Sequence, residues 1–159
     1  MSTPTPYTPP SAPVRDRPVP PERLTRGEKV LLALLVVNAL AGVVFVLTAF
    51  AGSGSASPVL IAAGLLLPCL GFVAAGVMPR RPLIGLVLGA VFYLLQILSY
   101  FGPHGAWGVR SGLHASFTVR LGDGVIVINV LAIVFCLAHV FLLLNRRARL
   151  SPSPSGSGV

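Results

Sequence analysis

The chain has 159 residues, of which 54% are hydrophobic and 10% are charged, and its formal net charge is +8. Soluble domains contain roughly 45–50% apolar and about 25% charged residues, so this composition excludes an ordinary soluble protein and indicates a membrane protein. The positive charge does not indicate nucleic-acid binding, because the basic residues lie in tails and loops beside apolar stretches, where the positive-inside bias accounts for them.

Residues 1–27 form a polar arm that we expect to be disordered, since eight of the first 21 residues are proline. The Pro-x-x-P spacing at 6–9 could bind a polyproline-recognising groove, but a solvated tail is the favoured interpretation. Thr25 and Glu28 have capping-box spacing, which predicts that the first helix begins here. The sequence at 49–51 resembles a signal-peptidase site, yet the apolar run before it is too long for a signal peptide, so we expect it to be retained.

Residues 28–145 contain four apolar stretches of about 20 residues, the length that crosses ~30 Å of hydrocarbon. They predict an all-α membrane protein: an antiparallel bundle of four transmembrane helices with a short extracytoplasmic β-hairpin between helices 3 and 4. The predicted spans are residues 29–50, 58–78, 82–101 and 124–144, and the outer loop is 102–123.

The basic residues predict the orientation of these spans. Ten Lys and Arg residues lie in the N-terminal part up to Lys29, in the turn 79–82 and in the tail 146–159, whereas only Arg110 and Arg120 lie on the other side. The positive-inside rule therefore places both termini in the cytoplasm and the outer loop outside a cell membrane. The tail continues with Ser, Pro and Gly, so we expect its end to be disordered.

One face of the third predicted span carries small and polar residues at helical spacing, which predicts that this face packs inward. The face consists of Gly85, Gly89, Tyr93, Gln96 and Tyr100. Gln96 and Asn129 lie about five residues from the outer ends of their spans, where they could hydrogen-bond across helices 3 and 4. Simple structural hydrogen bonds are the favoured interpretation. The alternative is a polar binding site beneath the outer loop, formed by Gln96 and Asn129 with Tyr93 and Tyr100 as its walls.

His139 is the one histidine inside a predicted span, near the inner end of the fourth, and Asn38 lies somewhat deeper on the first. An ionisable residue inside a membrane indicates a functional site by default, so these two residues form a candidate inner site. A haem or metal there is disfavoured, because no acid lies in any span and no second strong ligand matches the depth of His139. We therefore expect no cofactor and no metal.

The outer loop alternates apolar and polar residues from Leu113 to Leu121, which is the pattern of a strand. With Trp107 and Val109 in the same parity, this predicts a hairpin that turns at Arg110-Ser111-Gly112 and covers the outer ends of the helices with its apolar face. Its other side would present a contact surface, although a lid that only seals the bundle is favoured. The residues of that candidate surface are Trp107, Arg110, His114 and Arg120.

The turn at 122–124 has two interpretations. Asp123 could cap the N-terminus of the fourth helix, or the turn could close a second hairpin in which residues 125–128 form a further strand. The cap is slightly favoured, because Asn129 and Cys136 keep helical phase.

No catalytic motif occurs in the chain: paired carboxylates, His-x-x-x-His, Gly-x-Ser-x-Gly and phosphate-binding loops are all missing from the sequence. We therefore expect a non-enzymatic structural or accessory component of a bacterial membrane. The alternative is a small oligomeric carrier or lipid-handling protein that uses the polar site of helices 3 and 4. The expected partners are the lipid bilayer and either another membrane protein or a second copy of the chain.

Overall fold

The structure is a computed structural model that describes residues 23–51, 58–103, 105–108, 112, 113 and 115–151. Most of the N-terminal arm and of the C-terminal tail lies outside these residues, so the disorder expected for them stays a prediction. Within the described part of the chain, four helices surround a hydrophobic core and four strands form one sheet. The helices are α1 (Arg26–Ala51), α2 (Pro58–Val77), α3 (Pro82–Leu94) and α4 (Val130–Leu150); the strands are β1 (Leu98–Gly102), β2 (Gly105–Gly108), β3 (Ser116–Leu121) and β4 (Gly124–Asn129).

The capping box predicted at the start of α1 is confirmed. The backbone N–H of Thr25 donates to the Glu28 carboxylate at 2.7 Å, and the N–H of Glu28 donates to the Thr25 hydroxyl at 3.3 Å. These bonds satisfy two backbone donors that have no partner within the helix itself. The chain therefore enters α1 in a fixed conformation.

Two helices, α1 with 26 residues and α4 with 21, are long and apolar enough to cross a membrane. The other two are apolar but shorter over their described residues, Ile61–Val77 and Pro82–Leu94. The length and composition of α1 and α4 thus support a membrane protein. The lengths of α2 and α3 do not by themselves establish four membrane spans.

The third predicted span, residues 82–101, is wrong in its second half. α3 ends at Leu94, and its 13 residues reach only about 20 Å. The chain turns at Leu95–Ile97 and continues as β1, which pairs with strands on both sides. One of these partners, β4, lies beyond β2 and β3 in the sequence, so an apolar run of suitable length could not reveal the pairing.

The fourth predicted span, residues 124–144, is displaced along the chain, and the preferred cap at Asp123 is wrong. Residues 124–129 form β4, and the second hairpin that was considered as the alternative is present. Four consecutive β-branched residues, 125–128, favour a strand over a helix. The cap of α4 is Asn129, whose side-chain oxygen accepts the N–H of Ala132 at 3.2 Å.

The sheet has the strand order β2-β1-β4-β3, with every neighbouring pair antiparallel. The single hairpin predicted between helices 3 and 4 is therefore wrong: Trp107 pairs with Tyr100 of β1, and β2 and β3, which that hairpin would have joined, lie at opposite edges of the sheet. Gly112 has a left-handed conformation (φ 79°), as a turn residue often does. The other turn residues, 110 and 111, lie outside the described part.

Small residues bring the helices together, as the sequence predicted. Gly71 of α2 faces Ala39 of α1, while on α3 Gly85 lies against Met78 and Gly89 lies against His139 of α4. Backbones can approach this closely only where no Cβ intervenes. The predicted inward face of the third span is confirmed for its four helical or near-helical members, Gly85, Gly89, Tyr93 and Gln96, which are all buried.

Replacing Gly85 by Ala should destabilise the helix bundle. The new Cβ would overlap the backbone of Met78, which cannot move aside as a flexible side chain does. We expect the free energy of unfolding to fall by about 1–3 kcal/mol, the usual cost of overpacking. The measurement is the midpoint of thermal unfolding in detergent.

Gly76→Ala is the matched control for Gly85→Ala, because among the described atoms nothing lies within 4 Å of a Cβ built on Gly76. Alanine also has the higher helix propensity, so this variant should be as stable as the unmodified protein or slightly more stable. Equal midpoints for the two variants would contradict the close approach of α3 to the end of α2.

Candidate functional site

The most polar region of the interior is centred on Asn38, whose side chain is 1% exposed. Its amide nitrogen donates to the side-chain oxygen of Gln96 at 3.5 Å, and its oxygen accepts the backbone N–H of Leu113 at 2.6 Å. The nitrogen of Gln96 donates in turn to the carbonyl oxygen of Phe92 at 3.1 Å. We call Asn38, Gln96, Gly112 and Leu113 the Asn38 junction. Its amide groups hold three segments of the chain to one another.

The outer loop enters the bundle at this junction, which corrects the prediction that it only covers the helix ends. Asn38 lies near the middle of α1, and the described loop residues Gly112 and Leu113 reach it there. Gly112 needs to be glycine for two reasons: its φ is 79°, and a Cβ would collide with the Asn38 side chain. The backbone of segment 112–113 is therefore held against the middle of α1, although the Leu113 side chain itself is exposed.

The architecture changes at the level of the Asn38 junction. Ala39 meets Gly71 there, and Gly71 also faces Phe92 near the end of α3. Beyond this level α1 and α2 continue as helices, and Val46 still contacts Gly64. In contrast, α3 and α4 give way to the strand pair β1–β4. One half of the bundle thus stays helical where the other half becomes a sheet.

The predicted polar site of Gln96, Asn129, Tyr93 and Tyr100 is brought together only in part. Gln96 and Asn129 are both buried, but their side chains bind different partners, and the link between the two segments is the backbone bond from Asn129 N–H to the Ile97 carbonyl oxygen at 2.8 Å. The Tyr93 ring is buried against Phe92 and Phe135. Tyr100 lies on the sheet, where its ring covers Gly102 and Gly124.

His139 is fully buried, and its ring centroid lies 5.3 Å from that of Tyr93. Its Nδ1 is 2.8 Å from the carbonyl oxygen of Phe135, and since a carbonyl only accepts, this contact places a proton on Nδ1. A Cβ on Gly89 would lie 2.5 Å from Nε2, so that side of the ring has no room for a ligand. The structure places Asn38 with Gln96 and Leu113 and does not bond it to His139. In the described residues no group of three or more His, Cys, Asp or Glu could hold a metal.

The candidate outer surface lies mostly beyond what the structure describes. Arg110 and His114 are outside the described residues, and Trp107 is described only as a backbone position of β2. Arg120 is exposed on β3. These positions keep their status as predictions.

The apolar face of the sheet is only partly covered by the described part of the chain, so the cover expected from the helix ends is incomplete. Phe117 is 50% exposed, and all six residues of β3 are exposed. Cross-strand partners share a face, so the strand register collects the apolar side chains on one side of the sheet. The described members of that face are Leu98, Tyr100, Phe117, Val119, Leu121, Ile126 and Ile128.

Sequence reasoning missed a pocket where α1 begins and α4 ends. It has a volume of about 320 Å³, and we call it the inner pocket. Arg146 of α4 donates to the Glu28 carboxylate at 2.6 Å and so joins the two helix ends. The residues that line it are Arg23, Thr25, Gly27, Glu28, Leu142, Asn145, Arg146, Arg149 and Leu150. The signal for it was present in the sequence, since an antiparallel bundle brings the first turn of helix 1 next to the last turns of helix 4.

Glu28 precedes the apolar part of α1, which begins at Val30, and its side chain is 2% exposed. Burial raises the pKa of Glu28, but the hydrogen bond from the Thr25 N–H and the nearby Arg146 guanidinium outweigh burial and hold that pKa below its ordinary value of 4.5. The carboxylate is therefore charged at neutral pH and holds Arg146 in place.

Comparisons with known proteins identify no relative: no protein-family model matches the chain, and the searches of curated proteins and of solved structures also give no match. The functional argument consequently rests on the geometry of this chain alone.

Replacing Asn38 by Ala should loosen the outer loop, because it removes the acceptor of the Leu113 N–H and the donor to Gln96. Leaving these buried groups without a partner costs about 1–3 kcal/mol. We expect faster deuterium uptake in the peptide that contains Leu113, measured by hydrogen–deuterium exchange in detergent. Thr48→Ala is the control on the same helix, since the Thr48 hydroxyl is exposed and bonds only to α1 carbonyls. Unchanged uptake in Asn38→Ala would show that the loop does not depend on the Asn38 junction.

The ion pair of Glu28 with Arg146 predicts a loss of stability in acid. A carboxyl group whose pKa is lower in the folded than in the unfolded protein stabilises the fold above the unfolded pKa, and this contribution disappears as the pH falls through the lowered value. The temperature of the unfolding midpoint should therefore decrease when the pH is lowered below about 4.5. This decrease should be smaller in Glu28→Gln. Asp123→Asn, at an exposed turn, provides the control and should keep the acid-dependent decrease. An unchanged pH profile in Glu28→Gln would contradict the role of the pair.

Proposed function

We propose that this chain is a multi-pass integral membrane protein without enzymatic activity, which acts as a structural or accessory component of a cell membrane. The observation that carries the proposal is the inverted distribution of side chains. Polar residues such as Asn38, Gln96 and His139 are buried, whereas large apolar residues cover the outside of α1 and α4. In water this chain would expose a much larger contiguous apolar area than soluble monomeric proteins do.

The two longest helices argue against a soluble core. Only 33% of the most apolar window of α1 and 11% of that of α4 is buried inside the chain. The core helix of a soluble protein would be covered by its own chain, so lipid is the solvent that suits these surfaces. The exposed large apolar residues include Val36, Val37, Leu40, Val44 and Leu47 on α1, and Val134, Leu137, Phe141 and Leu144 on α4.

All four helices are proposed to cross the membrane as an antiparallel bundle. Helix α2 has 20 residues, whereas α3 ends near the level of Asn38 in the middle of α1, so the strand pair β1–β4 is proposed to complete the crossing of this half of the bundle. Open strand edges are costly in hydrocarbon, so the free edges of β2 and β3 are proposed to be satisfied by water at the outer surface or by a partner protein. In this arrangement the turn at 79–82 and both termini are cytoplasmic.

The non-enzymatic role is supported by the way the buried polar groups are used. The amides of Asn38 and Gln96 bind other parts of the chain, and the oxygen of Asn129 caps α4. Groups that hold the fold in this way are poorly placed to bind a substrate. The carrier alternative based on Gln96 and Asn129 is therefore the weaker of the two functions, and contacts with other membrane proteins through the outer sheet are the favoured activity.

Orientation can be tested by labelling single cysteines introduced at Ser55, Ser116 or Ser153 in a background that lacks Cys69 and Cys136. In intact cells a membrane-impermeant maleimide should label positions 55 and 116 and should label position 153 only after the membrane is opened. The reverse pattern would contradict the proposed topology, and the absence of labelling at all three positions in intact cells would contradict the proposed crossing of the membrane.

The accessory role can be tested by isolating the tagged protein from membranes in a mild detergent. We expect a second membrane protein to be recovered in a reproducible ratio, and this ratio should drop several-fold when Phe117 and Leu121 on the exposed sheet face are both replaced by Ser. Replacing the lipid-facing residues Leu137 and Phe141 by Ala is the control. Recovery of the chain alone would contradict the accessory role.

A further inference from the structure

The inner pocket combines positive charge with a concave, half-open shape. Three arginines line it, Arg23, Arg146 and Arg149, against one carboxylate, Glu28. The Glu28 carboxylate forms an ion pair with Arg146 and accepts the Thr25 N–H of the capping box. The positive charges of Arg23 and Arg149 therefore have no matching negative charge among the residues that line the pocket. Guanidinium groups bind phosphate oxygens with paired hydrogen bonds, which makes phosphate the anion that this composition suits best.

The backbone adds to this preference at one end of the pocket. α1 begins here, and the N-terminus of a helix carries partial positive charge. The C-terminal end of α4 carries the opposite partial charge, but Arg147 and Arg149 lie in its last turn and offset it. The electrostatic potential of the pocket is thus set by the arginines.

The walls of the pocket are not only charged. Leu142 and Leu150 supply an apolar side. A free anion gains nothing from such a wall. A phospholipid, in contrast, can place its phosphate among the arginines and its glycerol and first methylenes along the leucines.

We propose that the inner pocket is a binding site for the headgroup phosphate of an anionic glycerophospholipid from the cytoplasmic leaflet. The proposal rests on the proposed membrane topology for the side of the bilayer, while the chemistry of the pocket is independent of it. Basic pockets between helices on the cytoplasmic side are the type of site that binds anionic lipid headgroups. The bound lipid would join the beginning of α1 to the end of α4, since both helices line the pocket.

The test is a titration of the full-length protein, purified from membranes in a neutral detergent, with dioctanoyl-phosphatidylglycerol, followed by native mass spectrometry. Dioctanoyl-phosphatidylcholine and inorganic phosphate are titrated separately. We expect one phosphatidylglycerol molecule to bind with at least tenfold higher affinity than phosphatidylcholine. Inorganic phosphate should bind much more weakly than phosphatidylglycerol.

The double variant Arg23→Gln/Arg149→Gln should weaken phosphatidylglycerol binding by about 30-fold, which corresponds to about 2 kcal/mol for two basic residues. The control Arg26→Gln/Arg147→Gln removes the same charge from the same helix ends, but neither residue lines the pocket, so binding should change by less than about threefold. Arg149→Gln alone should give an intermediate loss, and the thermal midpoint without lipid shows whether each variant is folded.

Three results would overturn the proposal: an equal loss in both double variants, no preference of the unmodified protein for phosphatidylglycerol, or binding of inorganic phosphate as tight as that of the lipid. The last result would assign the pocket to free phosphate. Failure of the membrane proposal is distinguishable, because the unmodified protein would then be recovered in the soluble fraction before any titration. Membrane-bound protein without lipid preference contradicts the inner pocket only.

Discussion

A polar group in an apolar interior must find its partner within the chain, and Asn38 meets this constraint for three segments at once. Its amide binds the end of α3 through Gln96 and the outer loop through Leu113. An unsatisfied amide in such an interior is costly. These few bonds therefore fix the position of the loop and of the end of α3 relative to α1.

Much of the helical part could be predicted from the sequence, because its signals are local. The capping box at Thr25 and Glu28 and the glycines of α3 act within or between adjacent helices, and both are found where the spacing placed them. Apolar length, in contrast, measures only how far a segment could reach. Residues 98–101 and 125–128 are as apolar as a helix in lipid needs to be, but their pairing with each other makes them strands.

The candidate sites show the same division between local and distant information. Burial of Gln96 followed from helical periodicity, whereas its partners did not, because a sequence pattern places a side chain on a face without saying what lies opposite. For the same reason Asn38 was grouped with His139, whereas its hydrogen bonds join it to Gln96 and Leu113. The inner pocket depends on the pairing of the first and last helix ends, which requires the tertiary arrangement.

The continuity of α3 with β1 and of β4 with α4 has a mechanical consequence. Only Leu95–Ile97 separate α3 from β1, β4 leads directly into α4, and the bond from Asn129 to Ile97 closes the joint between them. The sheet and the α3–α4 pair are thus joined with almost no intervening loop, while α1 and α2 continue past this joint as helices. A force that tilts the sheet would therefore rotate α3 and α4 together relative to α1. The Glu28–Arg146 ion pair, at the opposite end of α4, would oppose this rotation.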